Sequence, residues 1–133
     1  MARVAQAQVD QKDFAAALRE AQEGLQLFPD SAELAAVRVE SLLGLNQVSD
    51  AAAALATLHA DQLPAPQYAI LQSRLSIAQQ QWSDARKTVE AALSVSPRDP
   101  RLHFLMGQIC EHDQDWPAAT AHYRNAGEQS ISK

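Results

Sequence analysis

Two columns of residues recur at a fixed interval of 34 positions along this chain. The first column carries mostly large apolar side chains: Phe14, Val48, Trp82 and Trp116. The second column follows three residues later and is always alanine: Ala17, Ala51, Ala85 and Ala119. An interval of this length accommodates two short helices and their turns. The pattern therefore predicts an array of helical hairpins rather than a single globular core.

Two further columns continue along the same segments. Four residues after the alanines come Ala21, Leu55, Val89 and Tyr123. Three residues later come Gly24, Leu58, Ala92 and Ala126. Spacings of three and four residues are those of one face of an α-helix. Each column therefore belongs to the second helix of a hairpin, and Pro29 and Pro97 end that helix in the first and third repeats.

The last repeat carries these features most completely, with Gly107, Trp116, Ala119, Tyr123 and Ala126 at their expected positions. In these residues the chain resembles the tetratricopeptide repeat (TPR) family, and the resemblance covers essentially the whole chain. It implies an all-α fold, a right-handed α-solenoid of four helix-turn-helix hairpins. The repeats would span residues 1–31, 32–65, 66–99 and 100–133, forming one array.

The first helix of each repeat departs from the family pattern. The large aromatic of the family falls on Ala35, Ala69 and His103, and its tyrosine falls on Leu42, Ser76 and Cys110. A different apolar stripe recurs one or two residues earlier, which keeps open the alternative that these helices are rotated. In that alternative the exposed column consists of Val39, Ser73 and Gly107, together with Leu42, Ser76 and Cys110.

Prolines and capping residues set the expected helix limits. Asp30 and Glu33 have the spacing of a capping box, and Asp99 is the expected cap of the first helix in the fourth repeat. The predicted helices are approximately 2–11, 14–28, 31–45, 48–61, 66–79, 83–95, 100–113 and 117–129. No strand is expected.

Composition narrows the classes of partner. The net charge is -5 and the pI is about 5.2, so no basic stripe is available for phosphate contacts and nucleic acid is not an expected partner. No apolar run of membrane-spanning length occurs, and no direct membrane insertion or signal peptide is expected. The single cysteine, Cys110, rules out an internal disulfide framework. The compartment stays open, with the cytoplasm favoured.

Residues suited to catalysis or metal binding are few. His103, Cys110, His112 and His122 fall in the last repeat, but Cys110 and His112 lie two positions apart on one helix and face different ways. Only His103 and Cys110 share a face, two turns apart. We therefore expect incidental surface or edge histidines, no metal site, no cofactor and no enzymatic activity.

The resemblance to TPR proteins implies a protein or peptide partner bound along the first helices of the repeats. Ile70, Ile77 and Phe104 are either apolar anchors for this partner or ordinary core residues. The family's clamp for acidic chaperone tails is not expected, because only Arg101 retains a suitable donor among its basic positions. The groove positions fall on Glu33, Ala36, Glu40, Gln67, Ile70, Arg74, Ile77, Arg101, Phe104, Gln108 and Glu111.

The predicted function is that of a protein-protein interaction module or scaffold. The alternative is a non-catalytic appendage of a larger enzyme, which would position a protein substrate or the catalytic domain. Self-association through the terminal repeats also remains open.

Overall fold

The computed structural model of the chain describes residues 13–131, with side chains described through residue 127. Every regular element in that range is helical, so the predicted all-α fold is confirmed. The predicted helix 2–11 lies outside the described residues. The α-helices are α1 Phe14–Leu27, α2 Ala32–Gly44, α3 Val48–Leu55, α4 Gln67–Ala78, α5 Trp82–Val95, α6 Pro100–His112 and α7 Trp116–Ile131, with a 3-10 helix at Ala60–Gln62.

The chain divides into two compact units, Met1–Pro64 and Ala65–Lys133. In the first unit, α2 packs against both α1 and α3. In the second unit, α4 pairs with α5, α6 pairs with α7, and the two hairpins stack through α5 against α6 and α4 against α6. Within each unit, neighbouring helices therefore pack in chain order, as expected for a helical-repeat protein. The single array of four repeats remains a prediction.

The alanine column occupies the tightest part of the packing. Ala17, Ala51 and Ala85 are fully buried, and Ala119 is 2% exposed. Ala85 belongs to an apolar cluster that includes Ile70 of α4. A side chain that ends at Cβ lets two helices approach closely without leaving a void, which explains why alanine recurs here.

The turns between the two helices of the second, third and fourth repeats share one backbone conformation. Asn46, Gln80 and Gln114 have φ angles of 61°, 61° and 60°, in the left-handed region, although none is glycine. The next residue in each turn donates its N–H to a carbonyl five residues earlier, at 2.8, 2.8 and 2.9 Å. These bonds occupy carbonyls that the ending helix leaves without partners. The 34-residue interval is therefore present in the turns as well as in the helices.

Capping residues predicted the starts of two helices. Asp99 caps α6, since its Oδ1 accepts a hydrogen bond from the Arg101 N–H at 2.9 Å. The sequence allowed α2 to begin after Asp30 or after Ser31, and the second start is the one observed: the cap is Ser31, whose hydroxyl accepts from the Leu34 N–H at 3.2 Å. Serine, one residue nearer the helix, supplies the acceptor that the first turn requires.

Helix α3 is shorter than predicted. It ends at Leu55 rather than near residue 61, and the Thr57 hydroxyl donates to the Ala54 carbonyl at 2.7 Å. Such a local bond competes with the continuation of the helix. The chain then bends, and both Leu58 and Leu63 are buried. The helix therefore gives way to a turn that brings two leucines into the core of the first unit.

Two side chains of the large apolar column, Phe14 and Trp82, each contact a residue about 30 positions later in the chain. The Phe14 ring covers Gly44, and the Trp82 ring stacks on His112 with ring centroids 4.1 Å apart. The recurrence of large side chains in this column predicts that each packs at the turn end of its hairpin. For Trp116 this prediction was wrong, because the side chain is 59% exposed.

The alternative of rotated first helices was also wrong. Its exposed column is buried, because Val39 and Ser73 are fully inaccessible and the Tyr123 ring covers Gly107. The Ser73 hydroxyl is satisfied locally by donating to the Ala69 carbonyl at 2.7 Å. Leu42, Ser76 and Cys110 are buried too.

Replacing Ala85 with leucine should overpack the contact between α5 and its neighbours. We expect the free energy of unfolding to fall by about 1 to 3 kcal/mol. Ala91→Leu is the matched control, because Ala91 lies on the same helix but is exposed. Urea denaturation of the two variants measures the difference, and equal midpoints would contradict the packing described here.

Replacing Gln80 with glycine should stabilise the turn between α4 and α5. Its left-handed conformation costs a residue with a Cβ more than it costs glycine, so we expect a gain of about 0.5 to 1 kcal/mol. The control is Gln79→Gly, because Gln79 has a φ of -85°. That change should instead destabilise the protein by a similar amount. Thermal melts that shift in the same direction for both variants would refute the expectation.

Candidate functional site

Eight of the predicted binding residues lie on two helices of the second unit that contact each other, α4 and α6. Their spacings of three and four residues place each set on one helix face. Seven of them are at least partly accessible, and together they form what we call the α4–α6 surface. These are Gln67, Arg74, Ile77, Arg101, Phe104, Gln108 and Glu111.

The eighth residue, Ile70, is a core residue. It is only 6% exposed and clusters with Leu102 and Leu105 of α6. Ile77 is half-buried and packs against the same cluster. In the conformation described, Ile70 cannot contact a partner, whereas the outer side of Ile77 remains accessible.

Phe104 is the largest apolar side chain on the α4–α6 surface, and 51% of it is exposed. Its neighbours Leu102 and Leu105 are buried, so α6 uses them to cover the core and leaves Phe104 on its outer side. Its ring meets that of Tyr123, with centroids 5.7 Å apart and planes inclined by 55°. This tilted aromatic contact holds Phe104 in place while leaving half of it uncovered.

Tyr123 supports the surface from α7. A Cβ placed on Gly107 would lie 2.6 Å from the Tyr123 Cε1 atom, so the glycine allows the ring to lie flat on α6. Burial raises the pKa of Tyr123 to about 12, and interaction with the Glu111 carboxylate contributes to this rise. The phenol therefore keeps its proton well above neutral pH.

The two arginines of the surface differ in their environment. Arg101 donates hydrogen bonds to both carboxylate oxygens of Asp99, from Nε to Oδ1 at 3.1 Å and from Nη2 to Oδ2 at 2.9 Å. Hydrogen bonds from Arg101 are the main reason that the pKa of Asp99 is below its usual value. Within the described part of the chain, Arg74 forms no ion pair. Of the two arginines on this surface, Arg74 is therefore the one whose charge is not already paired with a carboxylate of the described residues.

The remaining predicted groove residues lie in the first unit, on α2. Glu33 is exposed in the first turn of that helix, and Ala36 is buried. Glu40 is half-buried and interacts with another residue of the chain. These positions belong to the first unit and are not part of the α4–α6 surface.

Two histidines of the last repeat form a pair that sequence reasoning did not expect. His103 is 9% exposed, and its Nδ1 lies 3.1 Å from the Nδ1 of His122. The Nε2 of His103 donates to the Pro97 carbonyl at 2.7 Å, because a carbonyl can only accept. In the neutral form of His103, Nε2 then carries the proton, and Nδ1 can accept a hydrogen bond from the Nδ1–H of His122.

The other two candidates in this repeat lie elsewhere. Cys110 is buried, and His112 stacks on Trp82. Across the described residues, no three side chains of the metal-ligating types are grouped closely enough to hold a metal ion. The pairing of His103 with His122 came from packing between α6 and α7, which the spacing within one helix does not reveal.

The stacked hairpins, the alanine column and the repeated turn define a helical-repeat protein. Two family models described as "Tetratricopeptide repeat" match residues 8–75 and 70–130. The chain therefore belongs to the tetratricopeptide repeat family, which confirms the resemblance noted in the sequence. Such repeats typically form non-catalytic modules that bind proteins.

A solved structure described as "MamA MSR-1 C2" has a similar fold. It aligns with 95% of this chain and 72% of its own, with a TM-score of 0.57 and 18% sequence identity. At that identity the similarity concerns the fold alone. No curated protein sequence matches the chain. Among the described helices, none is both long and apolar enough to cross a membrane.

The histidine pair should make stability depend on pH. Burial lowers the pKa of His122 from its ordinary value of 6.5, and repulsion from His103 and Arg86 lowers it further. The folded chain therefore binds fewer protons than the unfolded chain as the pH falls through about 6.5. This contribution to stability is complete above about pH 7.5 and is lost as the pH falls towards the lowered pKa.

Thermal melts between about pH 5 and 8 measure this effect. The melting temperature of His122→Gln should fall less on acidification than that of the unchanged protein, since glutamine cannot take up a proton here. The control is His59→Gln, which removes an exposed histidine. Identical pH dependence in His122→Gln and the unchanged protein would show that the pair has no such role.

Proposed function

We propose that this chain binds a peptide or protein segment on the α4–α6 surface. Membership of the tetratricopeptide repeat family supports a protein partner in general. The observation that carries the choice of surface is the exposure of Phe104, 51% accessible and braced by Tyr123 among polar neighbours. A large aromatic that is rigid and half-covered contributes strongly to binding when a partner covers the rest of it.

The chemistry of the surface indicates what the segment should carry. Phe104 and the accessible side of Ile77 favour an apolar side chain, and Arg74 favours an acidic one. Arg101 already pairs with the carboxylate of Asp99, so it contributes less net charge. The preferred segment therefore combines an apolar anchor with a carboxylate, in an extended or helical conformation.

The same surface would serve the alternative role of an appendage to a larger enzyme. In that case the bound segment belongs to a protein substrate or to the catalytic domain. Nothing in the α4–α6 surface resembles a catalytic arrangement: its aromatic, amide, guanidinium and carboxylate groups recognise a partner but supply no nucleophile paired with a base. The proposed role of this chain is therefore binding in either setting.

Affinity capture followed by titration of the captured partner tests this proposal. Phe104→Ala should weaken binding at least about tenfold, because it removes the anchor. Arg74→Glu should weaken binding by a similar factor, since it reverses the available charge. Two variants on α5 are matched controls: Val95→Ala removes an exposed apolar side chain, and Lys87→Glu reverses an exposed positive charge.

The expected result is loss of the same partner in both test variants and retention in both controls. If all four variants retain the partner, the binding surface lies elsewhere on the chain. If the controls lose it as much as the test variants do, the interaction depends on general charge or apolar exposure rather than on the α4–α6 surface.

A further inference from the structure

The first unit contains an open cleft with a volume of about 370 Å³. It lies where the end of α1, the start of α2 and the turn after α3 meet, and it is separate from the α4–α6 surface. Its volume falls within the range of small-ligand sites. It is lined by Leu25, Pro29, Asp30, Ser31, Ala32, Ala35, Arg38, Thr57, Leu58 and Gln62.

Small side chains on α2 leave this space open. Ala35 and Ala32 both line the cleft, one helical turn apart. The position equivalent to Ala35 in the fourth repeat is His103, whose ring is buried and hydrogen-bonded on both sides. The fourth repeat therefore carries a buried ring at the position where the second repeat carries only a methyl group, and the methyl group leaves the cleft open.

The guanidinium of Arg38 is poorly satisfied within this cleft. Its Nε is buried and has no hydrogen-bond acceptor among the described residues. Its Nη2 reaches the Thr57 hydroxyl only at 3.5 Å, the outer limit for a hydrogen bond. A guanidinium has five N–H donors in a planar fork, and a buried donor without an acceptor destabilises the folded state. The side chain is therefore poised to turn towards an acceptor that enters the cleft.

The lining restricts the chemistry of that acceptor. Arginine pairs best with planar anions that accept two hydrogen bonds, which favours a carboxylate. Asp30 also lines the cleft, and its negative charge disfavours ligands that carry a second negative group besides the carboxylate. The apolar side chains of Leu25, Pro29 and Leu58 favour a short aliphatic group next to the carboxylate.

We propose that this cleft binds a monocarboxylate attached to a branched aliphatic group, with Arg38 as the residue that pairs with the carboxylate. The same chemistry is found in a small acid and at the C-terminus of a peptide that ends in an aliphatic residue. The site is independent of the α4–α6 surface, so failure of either proposal leaves the other standing.

Titration of the full chain with N-acetyl-leucine, followed by amide NMR shifts, tests the proposal. The expected result is saturable shifts at Ser31, Ala35 and Thr57 with a Kd of about 1 mM, typical of a ligand this small. N-acetyl-leucinamide has the same shape without the charge and should bind at least about tenfold more weakly. Acetyl-Gly-Ala-Leu with a free carboxylate separates the two sources. Tighter binding of the peptide indicates a chain terminus, and equal binding indicates a small acid; either supports the site.

Three variants sharpen the test. Arg38→Met keeps the apolar stem and should reduce affinity for N-acetyl-leucine at least about tenfold. Arg19→Met removes the same charge from an exposed position on α1 outside the cleft, and should leave affinity within about twofold of the unchanged protein. Asp30→Asn should tighten binding severalfold, because it removes the negative charge from the lining. The melting temperature of Arg38→Met should stay the same or rise, since the variant loses an unsatisfied donor.

Four results would overturn the proposal. They are equal binding of the acid and the amide, equal loss in Arg38→Met and Arg19→Met, binding of inorganic phosphate at least as tight as that of N-acetyl-leucine, and the absence of shifts with either acid at about 10 mM.

Discussion

The close approach of helices at the alanine column is the contact on which the rest of the structure depends. Ala17 packs in a buried cluster with Val37 of α2, and Ala85 packs in a cluster with Ile70 of α4 and Leu102 of α6. Helices of 8 to 16 residues are marginal in isolation, so their stability comes from this burial. The contact also determines which side chains remain outside, because a helix that turns Leu102 inwards must turn Phe104 outwards.

Helix positions followed from the sequence because their determinants are local or periodic. The 34-residue interval located the buried columns, and Asp99 and the prolines located helix limits to within a few residues. The end of α3 did not follow, since it depends on a hydroxyl bond at Thr57 and on the burial of Leu63, both of which are tertiary outcomes. The left-handed backbone conformation of Gln80 could not be predicted either, because glutamine has no preference for that conformation.

The candidate sites were harder to predict from the sequence than the fold was. Family positions led to the prediction of Phe104 and Arg74, which are accessible, but the same positions included Ile70, which is buried in the core of the second unit. Periodicity reports which face a residue occupies but not how far a neighbouring helix covers it. The Arg38 cleft gave no signal in sequence, because it arises from an unfilled volume and an unsatisfied nitrogen. An arginine at that position otherwise suggests only a solvated charge.

The unequal surroundings of the two tryptophans give the chain a pair of distinct optical reporters. Trp82 lies parallel to the His112 imidazole, at an interplanar angle of 8°, where a nearby ring can quench its excited state. Trp116 faces solvent over more than half of its surface and emits from a polar environment. The intrinsic fluorescence of the protein is therefore a sum of two unlike contributions, one sensitive to the junction of α5 with α6 and the other to whatever covers the start of α7.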